Sequence, residues 1–440
     1  MRPTRATPMP TVSSRWNARK RSRRAILILA LALCAAAGAQ AQEARPLIRE
    51  IAFRGNEVTQ PRVMLREMDV KVGDPADPRR IERSRQGVQD LGLFRSVSVR
   101  QEPVSDGVRL VFTVKEKFYI LPFPRVYASS DGGYGWGAQL RWNNLWGLNH
   151  TFNPLFERRQ PSEGSGDPET RGIQTRWQIR YGAPFVFDSR YSVGFAAGSL
   201  QTPYLEPDRY DTTNTSVSIG LSRKLTEGRG IQGWAGTTGL NWSEEVTSGA
   251  QAPAGRGHAV AASVGAYYRD LHFNVYSDSG TAYGFEVQSA TRDIASDYDF
   301  TSWGLGYARY LAIGATPHQN LNLQFDLGAR HDGAFGGDAF AVGGNESIRG
   351  FEPETAKGDA YYAVSVEYLR PVFRNSIRVL AVIDAANAFE TPADAHLDKV
   401  FVSAGLGVRV RIQAFVALDL EIGVAWPLDG GSPRLFATKV

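Results

Sequence analysis

The chain has 440 residues and a formal net charge of +5, but eight of its 50 Lys and Arg and none of its 45 Asp and Glu fall in residues 1–41. Taking eight from 50 leaves 42 basic residues against 45 acidic ones, a net of −3, so the basic balance of the whole chain gives no reason to expect a nucleic-acid partner. The single cysteine, Cys34, lies in the same stretch, which excludes disulfides and thiolate chemistry from everything after it.

Residues 15–24 form a basic block, residues 25–38 an apolar run, and Ala39-Gln40-Ala41 an A-x-A site. These are the three parts of a secretory signal peptide, expected over residues 1–41. The apolar run is too short to span a bilayer as a helix.

Residues 46–118 read as a small α+β domain. Residues 47–56 alternate as a strand and stop at Gly55-Asn56, a turn signal. Thr59 is expected to cap a helix that has Pro61 in its first turn and runs to about Val70. Asp74 to Asp77 opens a second helix reaching Leu91, with Ile81, Val88 and Leu91 on one face. Residues 94–104 and 108–117 then form a hairpin across Ser105-Asp106-Gly107. The order is β-α-α-β-β. With its GN after the first strand, VGD (72–74) between the helices and LGLF (91–94) before the second strand, this segment resembles a POTRA module, the periplasmic repeat of outer-membrane assembly and secretion proteins.

From residue 120 to 440 no amphipathic helix and no long apolar run occurs, so a helical membrane span is excluded. Short alternating segments divided by Gly, Asn, Asp and Pro take their place. In VSAGLGVRVRI (402–412) one face is Val402, Ala404, Leu406, Val408, Val410 and Ile412, and the other carries Arg409 and Arg411. In FVALDLEIGVAW (415–426) the apolar face opposes Asp419 and Glu421. A soluble β-sandwich also alternates. The export signal, the absence of cysteine and the repetition over many strands favour an antiparallel transmembrane β-barrel, of about 16 strands at roughly 20 residues per strand and turn.

Between two alternating segments lies a Gly-rich loop, residues 333–358, containing VGGNESIRGF (342–351). A loop of this length is functional or disordered more often than not. Its Gly343, Gly344, Ile348, Arg349, Gly350 and Phe351 are the candidate functional residues. If Asp384 faces the lumen, parity along its strand places Arg378 and Val382 beside it, and Glu367 shares the inward face of the preceding strand with Ala363 and Ser365. Both acids then point toward the place where Arg349 arrives if the loop folds in. The bland alternative leaves Arg349 a solvated loop charge.

SIRGF (347–351) is similar to the (V/I)-R-G-(F/Y) signature of the BamA/TamA superfamily, also called bacterial surface antigens. That family's later F-x-D-x-G pattern stands here as Val382-Ile383-Asp384-Ala385-Ala386, departing at the aromatic and at the last glycine. NNLWG (143–147) and GVAWPL (423–428) also resemble the family. The resemblance implies a loop folded back into the lumen, a Gram-negative outer-membrane location with the POTRA domain in the periplasm, and a role in assembling or translocating outer-membrane or secreted proteins.

The six histidines show no metal-ligand spacing, and neither a Gly-x-Ser-x-Gly elbow nor a phosphate-cradling loop occurs, so no enzyme, cofactor or metal is expected. Two function classes stand. The first is an insertase or secretion pore that receives unfolded outer-membrane or secreted proteins at the edges of the periplasmic sheet, with Ile51, Phe53, Val97, Val99, Phe112 and Val114 as candidate docking positions. The second is a passive outer-membrane channel or a lipid-transport barrel. The expected partners are outer-membrane lipids, unfolded proteins and periplasmic or lipoprotein accessory proteins.

Overall fold

The structure is a computed structural model and describes residues 45–128, 133–160, 170–206, 208–226, 230–252, 255–332, 339–345 and 347–439. The expected signal peptide lies outside the described residues.

The first folded unit consists of β1 (Ile48–Arg54), α1 (Pro61–Leu65), α2 (Pro78–Asp90), β2 (Phe94–Val104) and β3 (Gly107–Glu116). Asp77 caps α2 by accepting a hydrogen bond from the Arg79 N–H (2.9 Å). One face of α2 then buries Ile81 and Val88 over a sheet whose inner side includes Ile48, Leu110 and Phe112. The expected cap at Thr59 does not form. Gln60 is the N-cap residue and gives no side-chain bond, and α1 ends at Leu65, short of Val70. The Thr59 hydroxyl is engaged elsewhere, as described below.

Strand order in this sheet is β1-β3-β2, with β1 parallel and β2 antiparallel to β3. β3 is therefore central. Phe112 and Val114, expected among the docking positions, lie on this central strand and are buried, so neither offers an edge. Ile51 and Phe53 on β1, and Val97 and Val99 on β2, do lie on edge strands.

The chain then enters the barrel through β4 (Ile120–Ala128), β5 (Tyr134–Leu145), β6 (His150–Gln160), β7 (Gln174–Ala183), β8 (Tyr191–Glu206) and β9 (Tyr210–Lys224). It continues with β10 (Gly233–Ser248), β11 (Arg256–Phe273), β12 (Asp278–Ala290), β13 (Phe300–Ala312) and β14 (Asn320–His331). A ribbon of β15 (Phe340–Val342) and β16 (Ala356–Gly358) belongs to the long loop. The wall resumes with β17 (Ala360–Phe373), β18 (Ile377–Phe389), β19 (Phe401–Arg411), β20 (Asp419–Pro427) and β21 (Arg434–Lys439), which closes onto β4. Counting Thr170–Arg171 as a continuation of β7 against β8, the described residues form a wall of 16 strands.

Alternation sets the two faces. On β18, Val379 and Ile383 are exposed outward, while Arg378, Leu380, Val382 and Asp384 are buried inside. β20 starts at Asp419 and not at Phe415. The alternation before it had a different cause, because Phe415 bridges to Phe118 and Val416 packs against the core of the periplasmic unit rather than against lipid.

The first unit docks on the short-turn end of the barrel. Asn144 of the NNLWG turn donates from Nδ2 to the Thr59 hydroxyl (2.9 Å), which also meets the Tyr119 hydroxyl (3.0 Å). The Gly147 carbonyl accepts from the Gln60 N–H (2.9 Å). Gly147 has φ +72°, and a Cβ there would lie 2.1 Å from the Val58 carbonyl oxygen, so the turn requires glycine. Farther round the rim, Asp90 accepts from the Phe273 N–H (2.8 Å) and bonds His272 Nδ1 (2.9 Å). Glu67 accepts from the Ile231 N–H (2.9 Å), and its burial in this interface raises its pKa to about 7. Lys117, between the two units, lies over the Phe273 ring at 4.4 Å, and burial lowers its pKa to about 8.

Candidate functional site in the lumen

The long loop turns inward through a tight backbone. Ser347 donates from Oγ to the Gly343 carbonyl (3.0 Å) and accepts from the Gly343 N–H (2.6 Å), while the Ile348 N–H reaches the Gly344 carbonyl (3.2 Å). Gly343 has φ +140°, and a Cβ on it would stand 2.0 Å from the Glu352 carbonyl oxygen. Gly350, at φ +90°, lies against the backbone of Ala425. Ile348 is fully buried with Val342, Ala386 and Ala388, and Phe351 meets Phe401 edge-on at 5.4 Å. Apolar side chains on either side of Arg349 thus anchor the loop to β18 and β19. Residues 333–338 and 346 of this loop lie outside the described residues.

Arg349 is delivered into an acidic wall. Its Nε and Nη2 donate to Asp384 Oδ2 (2.7 Å) and Oδ1 (2.9 Å), and its Nη1 reaches Glu367 Oε1 (2.9 Å) and Glu421 Oε1 (2.8 Å). Ser365 bridges Arg349 and Asp384. Arg409 binds the same two glutamates, through Nη2 to Glu367 (2.7 Å) and Nε to Glu421 (2.6 Å). Asn322 Nδ2 adds a bond to the other Glu367 oxygen (3.1 Å). Two guanidiniums therefore meet three carboxylates, and all five groups are buried. Charge-assisted, partly bidentate bonds of this kind fix geometry. Among the described residues no cluster of three or more His, Cys, Asp or Glu is placed to hold a metal ion.

The structure thus brings Arg349 together with Asp384 and Glu367. Glu421 and Arg409 complete the network, and parity had placed both on inward faces without connecting them to the loop. The loop also touches the last strand. Asn345 Nδ2 donates to the Ala437 carbonyl (3.1 Å), Glu352 pairs with Arg434, and Arg349 lies 5.7 Å from the centre of the inward-facing Phe436 ring.

An Omp85 superfamily domain matches residues 144–430, which spans more than half of the chain and contains both the loop and its acidic wall. The chain belongs to the Omp85 superfamily. A POTRA domain, described as a surface antigen variable number repeat, matches residues 46–117 of this Omp85 protein. Over 70 residues, 16% of this chain and 9% of the relative, it is 39% identical to the outer membrane protein assembly factor BamA of Nitratidesulfovibrio vulgaris (strain Hildenborough). Over 352 residues, 70% of this chain and 47% of the relative, it is 24% identical to the chloroplastic outer envelope protein 80 of Oryza sativa subsp. japonica. The chain spans less than half the length of either curated relative. Among solved structures, CdiB from Escherichia coli superposes with a TM-score of 0.60 at 15% identity, covering 90% of this chain and 75% of that one. BamA from Haemophilus ducreyi lacking POTRA domains 1–3 gives 0.51 at 15% identity, covering 90% and 85%. At such identities the likeness is one of fold. This Omp85 protein is an outer-membrane barrel, with 16 strands among its described residues and its POTRA domain in the periplasm.

Proposed function

We propose that the protein receives unfolded polypeptide at its POTRA sheet and delivers it into or across the outer membrane through the barrel, without catalytic chemistry of its own. The observation that carries this reading is the POTRA domain fastened to the periplasmic rim of a barrel whose closing strand, β21, has six residues. An edge strand offers unpaired backbone groups to an extended chain. Part of each edge is already in use. Ile48 on β1 exchanges backbone bonds with Gly73 and Asp74, and the Phe94 and Val97 carbonyls on β2 accept from Gln89 and Arg85 of α2. Docking is therefore assigned to the remaining lengths, from Glu50 to Arg54 on β1 and from Ser98 to Glu102 on β2. Photo-crosslinkers at Glu50, Arg54, Ser98 and Arg100 are expected to capture chains in transit, and those at Arg79 and Glu82 on α2 are not. Equal labelling of both sets would reject edge docking. Depletion followed by outer-membrane proteomics separates this reading from a passive channel or a lipid-transport barrel, because only a protein-delivery role lowers a defined set of membrane or secreted proteins.

A further inference from the structure

The wall from β13 to β20 keeps its carboxylates on one face only. Asp326, Glu367, Asp384, Asp419 and Glu421, every Asp and Glu of these strands, line a single cavity on the lumenal side. On the outer face the charged residues are Arg309 on β13 and Arg370 on β17. Arg309 stands in register with outward Leu323 and, through it, with Val366, and Arg370 lies opposite outward Val379. Both arginines are exposed, as is Arg374 in the β17–β18 turn. None of the three has an ion pair or a side-chain hydrogen bond among the described residues. The turns at this periplasmic end, 313–319, 374–376 and 412–418, contain no Asp or Glu. Asp270 on β11 is the outward acid nearest to Arg309, two strands away through Thr281, and it faces His272 Nε2 at 3.5 Å. The turn itself is apolar around its cation: Val372 and Phe373 are 58% and 55% exposed, and the Arg374 guanidinium lies 5.2 Å from the Phe373 ring centre. Arg374 (φ +46°) and Asn375 (φ +58°) occupy the left-handed pair of positions where a tight hairpin favours Asn-Gly, so an arginine stands at the tip where the backbone would prefer another residue.

We propose that the β17–β18 hairpin tip binds an anionic phospholipid of the periplasm-facing leaflet, with Arg370 and Arg374 holding its phosphate and Arg309 extending the site along the outer wall. Outward Leu321, Leu323 and Tyr368 bury among the acyl chains, while the arginine stems lie along this apolar surface and carry their charged heads to the headgroup level. The guanidinium fork suits phosphate oxygens, and no protein carboxylate on this face competes for Arg370 or Arg374. Val372 and Phe373 then enter the interface beside the headgroup, which accounts for two large apolar side chains left uncovered at a turn. The site belongs to the outer face and does not depend on what the POTRA domain binds.

The test is native mass spectrometry of the full-length protein in non-ionic detergent with equimolar phosphatidylglycerol and phosphatidylcholine of the same acyl chains. The wild type is expected to retain phosphatidylglycerol over phosphatidylcholine by about fivefold or more, the scale of one arginine near an anionic headgroup. R370Q/R374Q should bring the ratio close to one. Arg374→Asn, which removes the charge with a residue that adopts the left-handed conformation readily, should lower it in the same direction. Arg309→Gln, at the position nearer Asp270, should lower it less, and Arg79→Gln on the POTRA helix should leave it unchanged. Heat-modifiable gel mobility shows which variants are folded. Equal retention of the two lipids by the wild type overturns the proposal, and so does a preference that the folded Arg374→Asn variant fails to lower. Because the readout is bound lipid, either result leaves the polypeptide-delivery reading standing on its own crosslinking test.

Discussion

Arg349 and Asp384 are joined three times. The guanidinium gives Nε and Nη2 to the two carboxylate oxygens at 2.7 and 2.9 Å, and the Arg349 backbone N–H adds a third bond to Oδ2 at 3.1 Å. The last of these ties the main chain of the loop, and not only its side chain, to the β18 wall. Asp384 thus sets both where the loop stops and which way its arginine points.

Removing Arg349 leaves Asp384, Glu367 and Glu421 buried around a missing cation. Arg349→Ala is expected to cost about 3–5 kcal/mol locally and to release the loop to proteases. Arg349→Lys should fall between Ala and wild type, because one ammonium cannot reproduce the planar fork that spans three carboxylates. Exchanging Arg349 and Asp384 should fail to restore the loop, since the new carboxylate would face Glu367 and Glu421 at the end of the old guanidinium. Limited proteolysis and heat-modifiable mobility measure all three, and full rescue by the exchange would show that the pair acts alone.

Phe436 on the last strand packs inward over a patch that only glycine permits. A Cβ on Gly423 would lie 2.4 Å from Phe436 Cζ and 2.4 Å from the Leu406 carbonyl oxygen. Gly423→Ala should therefore destabilise the barrel by about 1–3 kcal/mol, and Phe436→Ala, at a nearly fully buried site, by about 3–5 kcal/mol. Adding Phe436→Leu to Gly423→Ala should recover only part of the loss, because the clash with the backbone remains. The temperature at which the folded gel band disappears reports each value. Full recovery would place the whole cost on the ring.

The alternation was legible because each strand separates lipid from a wet lumen, so its period survives in the sequence. Parity along two strands therefore already put Asp384 and Glu367 on inward faces. It could not supply Glu421, Arg409 or Ser365 as partners of Arg349, because parity gives the face of a strand but not its height or what lies across the lumen. Glu421 follows Arg349 by 72 residues, and only the register of β19 against β20 brings it level with Arg409. In the POTRA sheet the missing fact was strand order. A cue for it existed: Leu110, Val111 and Phe112 form an apolar run with both faces covered, as befits a central strand.

Docking of the POTRA domain should tighten as pH falls from about 7 to about 4.5. Glu67, near 4.5 when free, is raised to about 7 when buried against the Ile231 N–H beside Arg66 and Lys224. A carboxyl with a raised pKa in the docked state favours docking below its free pKa, and that contribution is lost as pH rises through about 7. The difference is on the order of 3 kcal/mol. Lys117, lowered to about 8, changes docking only at higher pH. Glu67→Gln should flatten this dependence and hold the domain closed at pH 8. Spin-label distances between Lys71 and Ala315 measure it, and an unchanged pH profile in Glu67→Gln would assign the effect elsewhere.

The seam between β21 and β4 is the expected point of opening. The described part of β21 has six residues, whereas β9 pairs with β10 over 14. Pro122 and Pro124 of β4 bring no N–H to any ladder. The loop partly compensates from inside, by holding the Ala437 carbonyl through Asn345 and Arg434 through Glu352. Val126 and Leu435 both point outward and are largely exposed, so cysteines there, or at Ala437 in place of Leu435, share the outer face across the seam. A disulfide between them should abolish delivery of cargo into the membrane, and reductant should restore it. Asn345→Ala, which frees one backbone acceptor of β21, should instead raise the yield of seam crosslinks to a membrane-bound cargo strand. If locked barrels deliver cargo as well as reduced ones, the chain passes through the lumen and not through the wall.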